Sequence, residues 1–259
     1  MDGRNILILG GTGDAIFIAE QLSVASNLNI ITSLAGATRN PRFPTGKTRI
    51  GGFGGKEGLI GFLENQEISL IIDATHPFSS QIKDNAIFAA KKLCLPLLHL
   101  VRDEWRVEFG DQWYMVDNLR DASEKLRELS KTRKQNVFLT IGRKDLTYFS
   151  NIKNCNFLIR SIEKPNILES FCCVKWIEGR GPFSSESEIK LLTQEQVDII
   201  VTKNSGGLSG RSKLLAARTL GLPAIVVKQP PRPPGEQYNT AENILEVALK
   251  RVGFAGTQS

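Results

Sequence analysis

The sequence contains few of the residues that mark metal-binding or disulfide-linked proteins. Its 259 residues include four cysteines, two histidines and two methionines. The cysteines are Cys94, Cys155, Cys172 and Cys173. None of them forms a C-x-x-C pair, so we predict neither a zinc motif nor a disulfide framework. The sequence also has no apolar run of the about 18 residues that a membrane-spanning helix needs, and no signal-peptide pattern. We therefore expect a cytoplasmic protein with reduced thiols and no membrane association.

Charge and length exclude little by themselves. The chain has 33 basic and 27 acidic residues, a formal net charge of +6, and 41% hydrophobic residues. Such a chain can form one large or two small α/β domains. A modest positive excess favours anionic ligands such as phosphorylated cofactors or polycarboxylates, although solubility alone is the alternative explanation. The basic residues are not interleaved with aromatic residues along one strip, so we do not predict nucleic-acid binding.

Short apolar runs alternate with helical patterns along most of the chain. Strands are predicted at residues 5–9, 29–33, 70–74, 95–100, 136–141, 157–161, 198–202 and 223–227. Helices are predicted at residues 15–23, 58–65, 79–92, 121–130, 186–193, 212–220 and 240–252. The strands do not alternate between apolar and polar residues, which indicates parallel sheets covered by helices on both faces. We predict an α/β fold of two Rossmann-like lobes with mostly parallel sheets and a cleft between them.

The first predicted strand runs directly into a glycine turn. Glycines at such a turn let the main chain approach a pyrophosphate, and the following helix offers free N–H groups to it. The spacing departs from G-x-G-x-x-G, because Thr12 stands in place of the second glycine and Ala15 in place of the third. A turn that binds nothing is the alternative. The residues predicted here to bind a cofactor are Gly10, Gly11, Thr12, Gly13, Asp14 and Ala15.

The second predicted strand ends without the acidic residue that NAD enzymes use to bind the ribose 2′-hydroxyl. Ser33, Thr38 and Arg39 stand there instead. These residue types suit a 2′-phosphate, the arginine through paired charge-assisted hydrogen bonds. We predict that they and Gly36 contact the cofactor, and that it is NADPH rather than NADH. A solvated loop cation is the alternative for Arg39.

Two further segments add candidates to the first half of the chain. Residues 51–55 place four glycines around one phenylalanine, which lets a ligand approach the main chain, with an empty flexible loop as the alternative. Residues 73–78 follow a predicted strand at its carboxyl end, where ligands of open α/β sheets lie. The cofactor-binding residues predicted in them are Gly52, Phe53, Gly54, Thr75 and His76. A structural turn is the alternative for His76, and His99 is predicted to be a core histidine with satisfied hydrogen bonds.

The second half contains another strand, polar loop and helix in succession, at residues 198–220. Lys203 offers a point charge there, and the following Asn204, Ser205, Gly206 and Gly207 offer side-chain and main-chain hydrogen-bond donors. Lys213 lies in the first turn of the helix, where a cation is unfavourable for the helix dipole. This position indicates a ligand role, with a surface lysine as the alternative.

In combination these segments resemble the precorrin-6A (or cobalt-precorrin-6A) reductase family of cobalamin biosynthesis. The resemblance covers residues 10–15, 32–38, 51–55, 73–78 and 202–207 in this order and spacing. It implies an oxidoreductase that transfers hydride from NADPH to precorrin-6A, a tetrapyrrole with many carboxylates, and so forms the dihydro product precorrin-6B. The expected domains are an NADPH-binding domain at 1–103 and a second α/β domain at 104–259 that closes over the substrate.

A basic substrate site follows from this resemblance. The residues expected to contribute to it are Arg102, Arg143, Lys203, Asn204, Ser205, Gly206, Gly207 and Lys213. Arg143 and Lys203 are the favoured carboxylate ligands. His76 and Lys203 are the candidate catalytic proton donors, and water is a third source. No metal is expected, and a monomer is the expected state.

Two other functions remain open at this point, a non-enzymatic NADPH sensor and an oxidoreductase of similar fold with another substrate. The polar loop that begins at Lys203 argues against the sensor. Whether the substrate contains cobalt is not decided by the sequence.

Overall fold

The computed structural model describes residues 4–25, 27–36, 41–208 and 210–253. They form two compact units, one from Met1–Arg102 together with Pro230–Ser259 and the other from Asp103–Gln229. Each unit has one six-stranded sheet in which every recorded strand pair is parallel. The predicted α/β class with two Rossmann-like lobes is confirmed.

The strands in chain order are β1 (Arg4–Leu9), β2 (Leu28–Leu34), β3 (Lys47–Ile50), β4 (Ile68–Asp73), β5 (Leu97–Leu100), β6 (Gln112–Val116), β7 (Gln135–Thr140), β8 (Cys155–Ser161), β9 (Val174–Glu178), β10 (Ile199–Lys203), β11 (Pro223–Val227) and β12 (Glu236–Tyr238). The α-helices are α1 (Gly13–Ser23), α2 (Lys56–Asn65), α3 (Ser80–Leu93), α4 (Leu119–Leu129), α5 (Ser185–Gln194), α6 (Ser212–Leu220) and α7 (Ala241–Arg251). Short 3₁₀ turns cover Arg143–Tyr148 and Asn166–Ser170. No helix among the described residues is long and apolar enough to cross a membrane.

The first sheet has the strand order β3-β2-β1-β4-β5-β12, and helices cover both of its faces. Successive residues of a strand point to opposite faces, so Ile6 and Ile8 of β1 pack with α1 and α7. Leu7 and Leu9 pack instead with α2 and α3. This burial on both faces explains why the sequence of β1 is apolar without alternation.

The second sheet has the order β9-β8-β7-β10-β11-β6, in which β6 comes first in the chain but occupies an edge. Phe138 of β7 and Ile200 of β10 are buried in one cluster with Leu192 of α5 and Leu214 of α6. Both sheets therefore place the next two strands on one side of their first central strand and the following two on the other; only the sixth strand differs, because β12 comes last in the chain and β6 comes before β7.

The C-terminal segment corrects the predicted domain boundary. We expected residues 104–259 to form the second domain, but Pro230–Ser259 belongs to the first unit. Two contacts explain this placement. Strand β12 extends the first sheet by pairing Gln237 with His99, and Ile244 and Ala248 of α7 are buried in the core around Ile6.

Candidate functional site

Strand order reverses in the first sheet between the neighbouring strands β1 and β4. In open parallel sheets, ligands bind at the carboxyl ends of the strands at such a switch point. Gly10 follows β1 and donates its N–H to the Ser33 carbonyl at 2.9 Å. Ala74 follows β4 and donates to the Leu9 carbonyl at 3.0 Å. The candidate residues of these two turns thus lie where this fold places ligands.

Thr12 connects the two loops of this switch point. Its hydroxyl donates to the Ala74 carbonyl at 2.7 Å and accepts from the Ala15 N–H at 3.2 Å. Thr12 is thereby the N-cap of α1. A threonine in place of the expected glycine fixes the first turn of the helix and binds it to the turn after β4.

The three glycines of this turn have different roles. A Cβ on Gly10 would lie 3.0 Å from Thr32 Cγ2, so Gly10 allows the turn to pack against β2. Gly11 has a φ of +104°, a conformation that favours glycine. A Cβ on Gly11 or on Gly13 would meet nothing within 4 Å. There is consequently open space beside the main chain at the start of α1, as a bound pyrophosphate requires.

Asp14 and Arg102 form an ion pair within the first unit. Arg102 Nε and Nη2 donate to Asp14 Oδ2 at 2.9 and 2.6 Å. A carboxylate in the first turn of α1 would repel an anionic ligand, and the guanidinium offsets its charge. Arg102 was predicted as a substrate ligand, and the structure places it beside the predicted cofactor turn.

An arginine that we did not single out from the sequence lies beside Ser33. Arg49 Nη1 donates to Ser33 Oγ at 3.0 Å and to the Gly51 carbonyl at 2.8 Å, and Nη2 donates to the Gly52 carbonyl at 3.0 Å. Its guanidinium carbon lies 3.8 Å from the centre of the Phe53 ring. Burial lowers the pKa of Arg49 from its ordinary value. No sequence signal identified it, because Arg49 lies opposite Ser33 only through the pairing of β2 with β3.

The neighbouring predicted residues have mixed outcomes. Thr38 and Arg39 lie outside the described residues. Gly36 has a φ of +70°, and a Cβ there would be 3.2 Å from Ile50 Cγ2. A Cβ on Gly52 or Gly54 would meet nothing within 4 Å, so space is open beside these glycines too.

A buried polar cluster supports the turn after β4. Asp73 is completely buried, and its Oδ1 accepts from the N–H and hydroxyl of Thr75 at 3.1 and 2.6 Å. Its Oδ2 accepts from Lys83 Nζ and contacts His99 Nδ1, both at 2.8 Å. Burial alone would raise the pKa of Asp73, but hydrogen bonding to His99 and the charge of Lys83 hold it well below its usual range. The cluster fixes Thr75 at the switch point.

His99 differs in part from its prediction as a satisfied core histidine. It is completely buried, and its Nδ1 contacts Asp73. Its Nε2 has no hydrogen-bond partner among the described residues.

His76 lies just beyond this cluster and is partly buried. Its Nδ1 accepts from the Phe78 N–H at 3.3 Å, and its carbonyl accepts from the Ser79 N–H at 2.9 Å. These bonds belong to a turn that leads into α3. Its predicted catalytic role stays a prediction.

The second sheet has its own switch point, between β7 and β10. Charged pairs lie there. Lys203 Nζ donates to Asp145 Oδ2, and Arg143 Nη1 donates to Glu163 Oε2 at 2.9 Å. The two favoured carboxylate ligands therefore both lie at this switch point, and each is paired with an acidic side chain.

The loop after β10 contains one side chain whose role the structure corrects. Asn204 is completely buried; its amide accepts from the Trp105 N–H and donates to the Trp105 carbonyl, both at 2.9 Å. The side chain of Asn204 therefore supports Trp105 and does not face a substrate. Gly206 and Gly207 have φ of +65° and +66°, and Ser205 donates its N–H to the Lys203 carbonyl at 2.9 Å.

Lys213 is buried at the start of α6. Its Nζ donates to the Gly210 carbonyl at 2.5 Å and lies 5.4 Å from the centre of the Trp105 ring. Burial and the nearby Arg160 lower the pKa of Lys213 to about 8, although Glu188 opposes the shift. Lys213 is thus a partly desolvated cation at the carboxyl edge of the second sheet, and a surface lysine is excluded.

Comparison with known proteins agrees with this architecture. Residues 5–249 match the family model described as Precorrin-6x reductase CbiJ/CobK. A precorrin-6A reductase of Rhodococcus erythropolis is 42% identical over 232 residues, which cover 90% of this chain and 92% of the relative. The solved structure of CobK precorrin-6A reductase has a TM-score of 0.89 at 34% identity and covers 96% and 97% of the two chains.

The chain belongs to the precorrin-6x reductase family. A cobalt-precorrin-6A reductase of Priestia megaterium is also similar, with 29% identity over 263 residues that cover 95% of this chain and 98% of the relative. The chain is therefore a reductase of cobalamin biosynthesis. Within the described ranges, no group of three or more His, Cys, Asp or Glu side chains could hold a metal ion.

Proposed function

We propose that the chain reduces precorrin-6A to the dihydro product precorrin-6B with NADPH as the hydride donor. The observation that carries the proposal is the glycine turn at the β1–β4 switch point, with open space beside Gly11 and Gly13, in a chain of a reductase family. When bound, the nicotinamide supplies the hydride. The protein contributes binding, orientation and charge.

The first unit holds the nucleotide in this proposal. The main-chain N–H groups at the start of α1 bind the pyrophosphate, and Thr12 keeps the first turn in place. Arg102 offsets the charge of Asp14 beside it. Asp73, through Thr75, fixes the opposite side of the same site.

The second unit holds the substrate carboxylates. Arg143 and Lys203 supply the positive charges, and their acidic partners Glu163 and Asp145 orient them before the substrate arrives. Lys203 is also the first candidate for the donor of the proton to the ring. His76 is the second candidate for this proton, from the first unit.

The cobalt-free substrate is the one we propose. Relatives named precorrin-6A reductase are 35 to 42% identical to this chain, whereas those named cobalt-precorrin-6A reductase are 25 to 29% identical. A metal in the macrocycle changes the charge and shape that the second unit must accommodate, so the two substrates are separate arms of the test.

The test is an anaerobic assay that follows NADPH absorbance with precorrin-6A, cobalt-precorrin-6A or no tetrapyrrole, with NADH in parallel. We expect NADPH oxidation and a matching change of the macrocycle spectrum with precorrin-6A. Faster turnover of the cobalt form would reverse the substrate assignment. Tight NADPH binding without oxidation in either arm would contradict the proposed reaction.

The Gly13→Val variant connects this reaction to the glycine turn. A Cβ at Gly13 meets nothing within 4 Å, so the added side chain begins in the open space beside α1. We expect a folded protein whose NADPH dissociation constant rises about tenfold or more, the loss of roughly one charge-assisted hydrogen bond. The control is Gly61→Ala, because a Cβ on Gly61 also meets nothing within 4 Å. Gly221→Val would not serve as the control, because the positive φ of Gly221 disfavours any side chain. Unchanged NADPH affinity in Gly13→Val would place the cofactor elsewhere.

A further inference from the structure

Arg49 lies at the place where the fold distinguishes the two nicotinamide cofactors. It pairs with Ser33 in the register between β2 and β3. In dinucleotide-binding sheets, the residue at the end of the second strand reads the ribose 2′ position. Ser33 is at that end but is buried, and its hydroxyl accepts a hydrogen bond from Arg49. The group presented at this position is therefore the guanidinium and not the hydroxyl.

The guanidinium is fixed in one orientation. Its Nη1 donates to Ser33 Oγ and to the Gly51 carbonyl, and its Nη2 donates to the Gly52 carbonyl. The plane is further restrained by the rings of Phe53 and Phe62, whose centres are 3.8 and 5.3 Å from the guanidinium carbon. A pre-organised arginine fork loses little entropy when it binds an anion.

Within the described part of the chain, this cation forms no ion pair with an acidic side chain. Among the described residues, no carboxylate contributes to the electrostatics of Arg49. Its three recorded hydrogen bonds use three of five N–H donors, so Nε–H and one Nη2–H have no partner within the described ranges. Arg102, by contrast, is neutralised by Asp14. A restrained, unneutralised fork is suited to a dianionic phosphate.

We propose that the Arg49 guanidinium binds the 2′-phosphate of NADPH and sets the preference for NADPH over NADH. This inference rests on the proposed function, because it requires that the first unit binds a nicotinamide dinucleotide. It adds a residue to the site that was not recognised from the sequence, on a strand that was not predicted. A purely structural role, in which Arg49 only joins Ser33 to the 51–52 turn, is the competing explanation.

The test uses two nucleotides that differ only in the 2′-phosphate, adenosine 2′,5′-bisphosphate and adenosine 5′-monophosphate. Calorimetric titration of the full chain gives the ratio of their affinities without any turnover. We expect the wild type to prefer the bisphosphate and Arg49→Gln to reduce the preference by about 10- to 100-fold, the range for hydrogen bonds to a charged group. Lys47→Gln changes an exposed cation of the same strand and should leave the ratio unchanged.

The pH dependence separates binding from structure. The second pKa of a phosphate monoester is about 6, so the wild-type preference should fall between pH 7.5 and pH 5.5, and that of Arg49→Gln should stay flat. A bisphosphate preference that Arg49→Gln retains would overturn the role of Arg49 and leave NADPH binding intact. Equal affinity of the wild type for both nucleotides would instead contradict the NADPH assignment itself, and Arg49 with it.

A second measurement needs no variant. Phenylglyoxal modifies accessible arginines, and mass spectrometry locates the product. We expect the bisphosphate, but not the monophosphate, to protect Arg49 in the wild type. Equal modification with both nucleotides would overturn the proposal even if Arg49→Gln failed to fold.

Discussion

Both units arrange five of their six strands in the same order, yet the loops at the two switch points are chemically different. In the first sheet the chain leaves β1 through a glycine turn with open space beside Gly11 and Gly13. In the second sheet the corresponding loops after β7 and β10 carry ionic pairs, Lys203 with Asp145 and Arg143 with Glu163. The first surface offers main-chain N–H groups, and the second offers long, charged side chains.

This difference shows that the fold determines where a ligand binds and the loops determine which one. A dinucleotide pyrophosphate is small and must approach the backbone closely, which glycine permits. A macrocycle with peripheral carboxylates is broad and needs charges at the ends of side chains. Under the proposed function, the first switch point binds the dinucleotide and the second binds the macrocycle.

The buried ionic clusters of the two units differ as well. In the first unit, the buried carboxylate Asp73 is on a strand and receives Lys83 from α3. In the second unit, the buried carboxylate Glu188 is on α5 and receives Arg160 from β8 through two hydrogen bonds, of 3.0 and 2.6 Å. Lys213 is a further buried cation near Glu188. In the first cluster the buried groups contact the carboxylate of Asp73, whereas the second cluster contains Lys213 as an additional cation beside the Glu188–Arg160 pair.

The largest expected effect comes from Asp73→Asn. The substitution keeps the shape but leaves the Lys83 charge buried without its anion, which typically costs about 3–5 kcal/mol. Urea unfolding followed by far-UV circular dichroism measures the loss. NADPH affinity should fall too, because the single amide oxygen of Asn can accept from Thr75 or from Lys83 but not from both. Asp84→Asn, on the exposed side of α3, is the control and should change stability by at most about 0.5 kcal/mol.

Acid titration checks the charge of Asp73 directly. A carboxylate whose pKa is lowered by folding contributes stability above its unfolded pKa of about 4, and that stability is lost as the pH falls below it. Wild-type stability should thus decrease more steeply below pH 4 than that of Asp73→Asn. Parallel curves would show that folding does not lower the pKa of Asp73.

Two glycines of α2 give the next largest effect. A Cβ on Gly58 would lie 1.8 Å from the Phe53 carbonyl, whereas a Cβ on Gly61 would meet nothing within 4 Å. Gly58→Ala should force the helix away from the 51–55 loop, with a loss of about 1–3 kcal/mol. Gly61→Ala should stabilise by about 0.5–1 kcal/mol. Thermal melts of the two variants provide the measurement, and an unchanged or higher melting temperature of Gly58→Ala would refute the close packing of Gly58.

The strands that the sequence pattern identified are the eight central ones. The four it missed are β3, β6, β9 and β12, and all four are sheet edges. None of them contains a completely buried residue. A strand covered on both faces must be apolar, whereas an edge strand exposed to solvent can be as polar as a loop. Hydrophobic pattern alone therefore cannot find it.

The same limit explains which site residues could be predicted. Gly11, Thr12 and Gly13 act through local geometry, which adjacent residues determine. Arg49 acts on Ser33 only because β3 lies beside β2, and β3 is one of the missed edge strands. The contact of Lys83 with Asp73 likewise depends on how α3 packs on the sheet. Such partners are set by tertiary neighbours, which no local pattern specifies.

The smallest expected effect tests the additional cation of the second unit. Folding lowers the pKa of Lys213 to about 8, from an unfolded value of about 10.4. Below pH 8 the lysine is charged in both states and burial of the charge destabilises the fold; stability then rises as the pH increases towards the unfolded pKa. Lys213→Met removes this penalty and also the hydrogen bond to Gly210. We expect a net gain of about 1 kcal/mol at pH 7 that disappears near pH 10. Tryptophan fluorescence during urea unfolding measures this gain, because Trp105, Trp113 and Trp176 all lie in the second unit.

Lys213→Met also tests function. A buried charge that lowers stability is retained where function needs it, so this variant should lose affinity for the tetrapyrrole while its NADPH affinity is unchanged. Greater stability with unaltered turnover would remove Lys213 from the substrate site.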